Sequence, residues 1–290
     1  LHNMVMSAER IPHLYLLPIE LLIAFGEHVE KDLQKKKKLA GDNPMAFSNE
    51  LNLAQNQVLL NLKNSTSYRG SVARNNVNLD DIELEIKEWF RDYIKPSETY
   101  QDYLKIANPT LEEDFEAVDG LLKKVLFKNE VILNYFSEKD LNWTENKSVV
   151  RSLASKVLKN AANIEGTEEE QLPEIAINWE EDKEFFQNIF NFTIEMDSEN
   201  KALIAQKTKN WDIDRLAFTD KIIMSMAITE MKRFPSIPVK VSINEYIDIS
   251  KTYSTPKSKQ FVNGLLDVLA KELTESGQIR KSGRGLLDNK

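Results

Sequence analysis

The residues with the clearest chemical potential lie near the C-terminus, where lysines and an aromatic residue open a predicted helix. Lys257, Ser258 and Lys259 fall in its first turn, after a capping Thr255. Free backbone N–H groups and the helix dipole favour phosphate at such a position. Phe261 follows, and an aromatic ring beside lysines is the pairing with which single-stranded RNA binders stack bases. The alternative is a solvated helix start with Phe261 in the core, and spacing alone leaves both interpretations open.

A second basic group follows this helix. Arg280, Lys281 and Arg284 stand among glycine and serine, which predicts a flexible basic arm. The chain has a formal net charge of −8, but residues 231–290 carry 11 basic against 6 acidic residues, whereas residues 110–200 carry 9 basic against 21 acidic. The C-terminal fifth is therefore the part of the chain that could bind a polyanion such as RNA.

Residues for catalysis or metal binding are scarce. The chain has no cysteine, which excludes disulfides, thiolate nucleophiles and thiolate-ligated metal sites. His2, His13 and His28 are the three histidines, and on a helix they would lie roughly 16 and 22 Å apart, too far to share one metal. No P-loop, dinucleotide-binding glycine pattern or nucleophile elbow is present. We therefore predict no enzymatic activity, no metal site and no cofactor.

Length and composition limit the number of domains and the class of protein. A chain of 290 residues with 41% hydrophobic and 29% charged residues has enough apolar side chain for about two globular units. No apolar run is long enough to span a membrane. The chain starts at Leu1 and no secretory signal pattern follows. Together with the lack of cysteine, this favours a cytoplasmic protein.

The dominant hydrophobic period is helical, and glycine and proline are few, so we predict an all-α fold. Thr110 and Glu113 form a capping-box pattern that opens a helix reaching about Phe136. The asparagine- and serine-rich residues 64–78 are expected to form a loop. The other predicted helices, in chain order, span residues 4–38 with kinks at Pro12 and Pro18, residues 80–95, residues 146–162 with Val149, Leu153 and Val157 on the buried face, residues 179–194 and residues 199–207.

The last hundred residues give the sharpest pattern. Asp214 is a candidate cap for a helix whose interior, residues 216–231, is apolar on most sides, as expected at the centre of a bundle. Pro238 suits the first position of the next helix. The final helix has a predicted core stripe of Val262, Leu266, Leu269 and Leu273, with Phe261 at its edge.

Composition shifts divide the chain into four segments. A break is predicted at residues 41–44, but the best boundary is the acidic stretch that ends near Pro173. We predict an enlarged helical region at residues 1–164, an acidic linker at 165–178, a core helical domain at 179–275 and a flexible basic tail at 276–290.

Three blocks in the core domain resemble the bacterial NusB family of transcription antitermination factors. They are DKIIMSMAITE at residues 220–230, PVKVSINE at 238–245 and KQFVNGLLD at 259–267. Their order and spacing match the family, and the resemblance covers about residues 179–273. The preceding 178 residues are far longer than the usual N-terminal part of the family and resemble an enlarged version of it.

The resemblance implies an all-helical, non-enzymatic protein of two packed helical subdomains. It implies partners as well: NusE, a ribosomal small-subunit protein, and the boxA element of nascent single-stranded RNA, within the transcription elongation complex. By resemblance, Phe261 and the residues before it fall where members contact RNA, and Asp220 falls at an acidic position that faces NusE. Near the start of its helix, Asp220 is expected beside an exposed patch.

Two departures from the family matter. The arginine-rich N-terminal segment of the family has no counterpart from Leu1 onwards. Lys257 stands where familiar members carry an acidic residue, and a lysine there favours RNA. Two alternatives remain open: a helical protein-interaction scaffold without RNA binding, and the NusB-like domain associated with an rRNA cytosine methyltransferase. The second needs a catalytic cysteine, which this chain does not have.

Overall fold

The computed structural model describes residues 1–40, 51–163, 172, 173, 176, 178–207, 217–255 and 258–289. Every regular element in these residues is a helix, which confirms the all-α prediction. The chain divides into two compact units, residues 2–175 and residues 176–290. The division falls inside the stretch predicted as a linker, most of which lies outside the described residues. The predicted break at residues 41–44 also lies outside them.

The N-terminal unit is built around one long helix. Residues 14–25 of this helix are buried on nearly every side because the other helices of the unit pack around it. The helix continues through Pro18, and the break in this region comes earlier, at Arg10. The α-helices of the unit are α1 (His2–Glu9), α2 (Ile11–Ala40), α3 (Gln57–Asn64), α4 (Thr66–Arg74), α5 (Glu83–Trp89), α6 (Glu98–Tyr103), α7 (Leu111–Leu121), α8 (Glu130–Lys139) and α9 (Trp143–Ala161). A 3₁₀ turn (Asp80–Ile82) precedes α5, and π-helical turns follow α5 (Phe90–Ile94) and α7 (Leu122–Leu126).

Helix caps explain where the sequence prediction was wrong. Residues 64–78 were predicted as a loop, but residues 66–74 form α4, because the Ser65 side chain accepts a hydrogen bond from the Tyr68 N–H and opens the helix. After the helix, only residues 75–78 of this stretch are irregular. The capping box of Thr110 and Glu113 is present at the start of α7. The helix does not reach Phe136, because the Asn129 side chain accepts bonds from two backbone N–H groups and starts α8.

A buried polar network ties the first turn of α7 to the chain before α3. The Tyr103 hydroxyl donates to the Asp114 carboxylate at 2.5 Å, and the Gln57 N–H donates to the other carboxylate oxygen at 2.7 Å. The Asn56 amide donates to the Asp114 carbonyl. Burial raises the pKa of Asp114 although the hydrogen bonds from Tyr103 and Gln57 to its carboxylate favour the charged form.

The predicted buried face of α9 was correct at Val157, only partly buried at Leu153 and wrong at Val149. Val149 is 51% exposed, whereas Val150 is fully buried together with Ala154 and Val157. The buried stripe is therefore set by Val150 and its neighbours at spacings of three and four residues.

The α-helices described in the C-terminal unit pack as four around a central one. They are α10 (Trp179–Glu195), α11 (Asp197–Lys207), α12 (Phe218–Arg233), α13 (Val239–Tyr253) and α14 (Ser258–Glu275). The central helix is α12, which contacts each of the other four. The predicted α14 stripe is confirmed, because Val262, Leu266, Leu269 and Leu273 are all at most 3% exposed. Asp214, the predicted cap of α12, lies outside the described residues, and α12 begins at Phe218.

The segment after α14 is folded back against the residues that follow α12, unlike the flexible arm that we expected. The Ser282 N–H donates to the Pro235 carbonyl at 3.0 Å, and the Lys281 ammonium donates to the Phe234 carbonyl at 3.0 Å. Ile279 is buried, and a 3₁₀ helix (Gly283–Asn289) follows. At Gly285 an added Cβ would lie 2.0 Å from the Pro235 carbonyl oxygen, so only glycine permits this close approach.

Candidate nucleic-acid interface

A hydrogen-bonded cluster joins the start of α12 to the start of α14. The Ser258 hydroxyl donates to the Asp220 carboxylate at 2.7 Å. The Ser254 hydroxyl donates to Ser258 at 3.0 Å, and the Thr255 hydroxyl lies 2.8 Å from the same oxygen. Because a serine hydroxyl has one proton and two lone pairs, it accepts from both neighbours while it donates to the carboxylate. The cluster fixes the first turn of α14, which carries the candidate RNA-binding residues, against α12.

Two candidate site residues are inside this cluster and not on the surface. Asp220 is 3% exposed and Ser258 is 4% exposed. Asp220 was expected beside an exposed patch, but α14 covers it because Ser258 packs onto its carboxylate. The second carboxylate oxygen of Asp220 has no hydrogen-bond partner among the described residues. Direct contact of either side chain with RNA or protein stays a prediction, and it requires this cluster to open.

Lys259 and Phe261 lie on the accessible side of the same helix turn. Lys259 is exposed, and Phe261 is half-buried with one part of its ring packed against the core of the unit. Leu265, one turn further along, is buried, and Val268 is 49% exposed. Phe261 therefore sits at the boundary between core and surface, where its ring packs on one side and meets solvent on the other. Lys257 lies outside the described residues.

The candidate residues of the C-terminal segment form a separate patch at the opposite end of α12. Arg280 and Arg284 are exposed, and Arg280 donates to the Gly277 carbonyl. Lys281 is half-buried against Phe234, which follows α12 directly. Asp220 and Phe234 are 14 residues apart, so at 1.5 Å per residue the two patches are separated by roughly 20 Å along α12. The structure therefore brings the candidate residues together as two surfaces and not as one.

Sequence reasoning missed the buried polar groups that hold α12 in place. The Asn200 amide of α11 donates to the Ser225 carbonyl at 3.1 Å and to the Thr229 hydroxyl at 2.9 Å. The Tyr246 hydroxyl of α13 donates to the buried Glu230 carboxylate at 3.0 Å. Burial makes the largest contribution to raising the pKa of Tyr246, and the negative charge of Glu230 raises it further. The signal was present, since these polar residues interrupt an otherwise apolar helix at spacings typical of one face.

Neither a metal-ligand cluster nor a membrane-spanning helix is found in the described part of the chain. Those residues contain no cluster of three or more histidines or carboxylates placed to hold a metal ion. Nor does any helix there have the length and apolar character needed to cross a membrane. His13 contacts the Asn75 carbonyl at 2.9 Å, and His28 packs edge-on against Phe90, so these two histidines have separate structural surroundings.

Comparison with known proteins identifies the family of this chain. The NusB family model matches residues 148–271. A transcription antitermination protein NusB from Desulforamulus reducens is 36% identical over 99 residues, which are 34% of this chain and 69% of that protein. The chain belongs to the NusB family.

Two further NusB relatives match the same part of the chain. The transcription antitermination protein NusB of Chloroherpeton thalassium is 45% identical over 106 residues, which are 37% of this chain and 50% of that protein. The protein of the same name from Salinibacter ruber is 39% identical over 105 residues, which are 36% of this chain and 66% of that protein. The chain thus spans half to two thirds of the length of these two relatives. No solved structure matches the chain.

Some candidate residues lie inside the segment matched by the family model, and others lie outside it. The matched segment begins inside α9, about 30 residues before the span that the sequence motifs covered, and ends inside α14. Asp220, Ser258, Lys259 and Phe261 lie within it. The patch of residues 280–284 lies beyond it, and so do residues 1–147, which make up most of the N-terminal unit.

Proposed function

We propose that the chain is a transcription antitermination factor that binds boxA-type single-stranded RNA together with NusE, within the elongation complex. The observation that carries this proposal is the family membership, since the matched relatives bear the name transcription antitermination protein NusB. Catalysis, a cofactor and a metal have no part in it.

The RNA surface in this proposal is the start of α14. Lys259 and Lys257, two residues before it in sequence, supply positive charge to the phosphates, and the N-terminal end of the helix dipole adds to it. The half-buried ring of Phe261 offers its accessible side to one base. Ser258 and Asp220 support this surface from inside, because their hydrogen bond holds the first turn of α14 in place.

The C-terminal patch extends the RNA surface. The Arg280–Arg284 patch and the cluster at Asp220 are separated by roughly 20 Å along the axis of α12, so one RNA strand contacts both surfaces only if it runs along the C-terminal unit. The proposal assigns phosphate contacts to this patch and base stacking to Phe261.

The protein partner in this proposal docks near the start of α12. Asp220 is covered, but Phe218 is 76% exposed and Ile222 is 41% exposed on either side of it. Exposed apolar side chains of this size mark protein-interaction surfaces when they are adjacent. We therefore assign NusE contact to Phe218 and Ile222, with Asp220 fixing the helix start beneath them.

Fluorescence anisotropy with labelled RNA tests the proposal. Full-length protein is titrated into a boxA-containing RNA and into a scrambled RNA of equal composition, with and without NusE, at two salt concentrations. We expect the boxA RNA to bind more tightly than the scrambled RNA, NusE to tighten the binding further, and affinity to fall steeply with salt as counterions are released. Equal affinity for the two RNAs in the presence of NusE would contradict the proposal and favour the scaffold alternative.

A further inference from the structure

The N-terminal unit contains a charged cleft with a volume of about 820 Å³. It lies between the second half of α2 and the chain from Lys63 to Lys87, and most of its lining is charged. Cavities of 300–1,000 Å³ are the usual size for small-molecule sites. All of its lining residues precede residue 148, where the family match begins, so neither the family nor the proposed function accounts for it.

Three carboxylates in the wall of the cleft are already neutralised by cations. Glu20 accepts two bonds from Arg69 at 2.8 and 2.9 Å and a third from the Tyr68 hydroxyl. Glu27 pairs with Lys63 at 2.8 Å. Asp32 pairs with Lys36 at 2.9 Å, and this bond lowers the pKa of Asp32. These groups therefore contribute little net charge to the cleft.

Three other lysines converge on one part of the cleft around His28. Lys31 and Lys35 follow His28 at three and seven residues on the same face of α2, and Lys87 reaches the same place from α5. In the described part of the chain, no carboxylate lies within ion-pair distance of these three lysines. Burial lowers the pKa of His28, Asp32 opposes this, and the charges of Lys87, Lys35 and Lys31 lower the pKa further.

The remaining lining gives the cleft an apolar side and a small acidic rim. Ile23 and Ile86 contribute apolar surface, and Asp80 and Glu83 stand at the start of α5. The rings of Phe90 and His28 pack edge-on, with their centroids 5.3 Å apart. A ligand that fits must carry negative charge at the lysine end and an apolar or aromatic body next to the isoleucines.

We propose that this cleft is a binding site for a phosphate-bearing ligand, held by Lys31, Lys35 and Lys87. Lysine ammonium groups bind phosphate as point charges, and three of them in one concave site, with no carboxylate partner among the described residues, favour a phosphate monoester or diester. The same chemistry is offered by a free nucleotide and by the backbone of an RNA strand. The site is independent of the α14 surface in the other unit and does not rest on the antitermination proposal.

Two matched triple variants of the full chain test the proposal. One is Lys31→Gln/Lys35→Gln/Lys87→Gln in the cleft, and the control is Lys124→Gln/Lys128→Gln/Lys156→Gln, which makes the same charge change at exposed lysines of the same unit that do not line the cleft. All are made in a Phe261→Ala/Lys259→Gln background, which removes the α14 surface as a source of binding. The probes are ATP, measured by calorimetry, and a labelled single-stranded RNA of about 12 nucleotides without a boxA sequence, measured by anisotropy.

We expect at least one probe to bind the background protein, and the cleft variant to weaken that binding by about tenfold or more. The control variant should change it by about twofold or less, because distant surface charges are screened. Binding of ATP alone identifies a free nucleotide, binding of RNA alone identifies a backbone phosphate, and binding of both identifies a shared phosphate site. Absence of binding by both probes, or equal loss in the two triple variants, would overturn the proposal. Thermal melting checks that each variant is folded, and failure here leaves the boxA experiment unaffected.

Discussion

Phe261 lies at the boundary between the core and the proposed RNA surface, because its ring is only half-buried at the edge of the α14 stripe. Leu266, in the same helix, is fully buried. We predict that Leu266→Ala lowers the free energy of unfolding by about 2–5 kcal/mol and that Phe261→Ala lowers it less. Urea denaturation measures both.

RNA affinity should rank the two variants in the opposite order. Phe261→Ala is expected to weaken RNA binding by about 1–3 kcal/mol, the usual value of one stacked base, whereas Leu266→Ala should leave binding by the folded protein nearly unchanged. A larger stability loss for Phe261→Ala, combined with unchanged RNA affinity, would reduce Phe261 to a packing residue.

Ser258 has a structural role that its position in a lysine-rich turn does not suggest. It gives the buried Asp220 carboxylate its only hydrogen bond from a side chain within the described residues. We predict that Ser258→Ala destabilises the protein by about 1–3 kcal/mol, because the carboxylate then lacks this donor. Ser254→Ala, which removes a hydroxyl that contacts Ser258 but not Asp220, serves as the control in the same denaturation series. Equal and small effects of both variants would show that the cluster is not what holds α14.

In the segment after α14, the residues that carry the charge differ from the residues that anchor the segment to the fold. Arg280 and Arg284 are exposed, whereas Ile279 and Gly285 anchor the segment. We predict that Arg280→Gln/Arg284→Gln leaves the melting temperature unchanged and weakens RNA binding at low salt. The slope of log affinity against log salt should become shallower by roughly 1.4, the value for two lost phosphate contacts on a single strand. Lys124→Gln/Lys128→Gln is the charge-matched control, and an equal change of slope there would mean that net charge alone acts.

The helices were predictable wherever one periodic apolar face decided their position. The α14 stripe and the capping box of Thr110 follow from local patterns, and the structure has both. Helix α4 was missed because serine and asparagine favour loops and helix caps alike, and only the burial of Tyr68 distinguishes the two. The docking of the C-terminal segment depends on a backbone contact with Pro235, 47 residues or more away in sequence, and no local pattern encodes it.

The candidate site was predictable in its residue types but not in its geometry. The lysine–aromatic pattern located the start of α14, and Phe261 lies at the edge of the core as its spacing indicated. The burial of Asp220 and Ser258 was not predictable, because it comes from pairing two helices whose starts are 38 residues apart in sequence. The cleft around His28 also depends on distant segments, since α2 and α5 supply its lysines jointly.

In the whole molecule, the family match and the charged cleft belong to different parts of the chain. The NusB segment at residues 148–271 includes most of α9 from the N-terminal unit and most of the C-terminal unit. The remaining N-terminal helices bury a large core of their own around α2. We infer that they form a separate structural unit, which carries the proposed phosphate site, whereas the proposed RNA surface lies in the C-terminal unit.

Terminator read-through in a purified transcription reaction tests the proposed antitermination activity most directly. RNA polymerase and NusE from the same bacterium transcribe a template that carries a boxA sequence upstream of a terminator, with and without the full-length protein. We expect the protein to raise read-through on this template and mutation of boxA or omission of NusE to remove the increase. Unchanged read-through on the intact boxA template, with NusE present and the protein shown to be folded, would contradict the proposed activity.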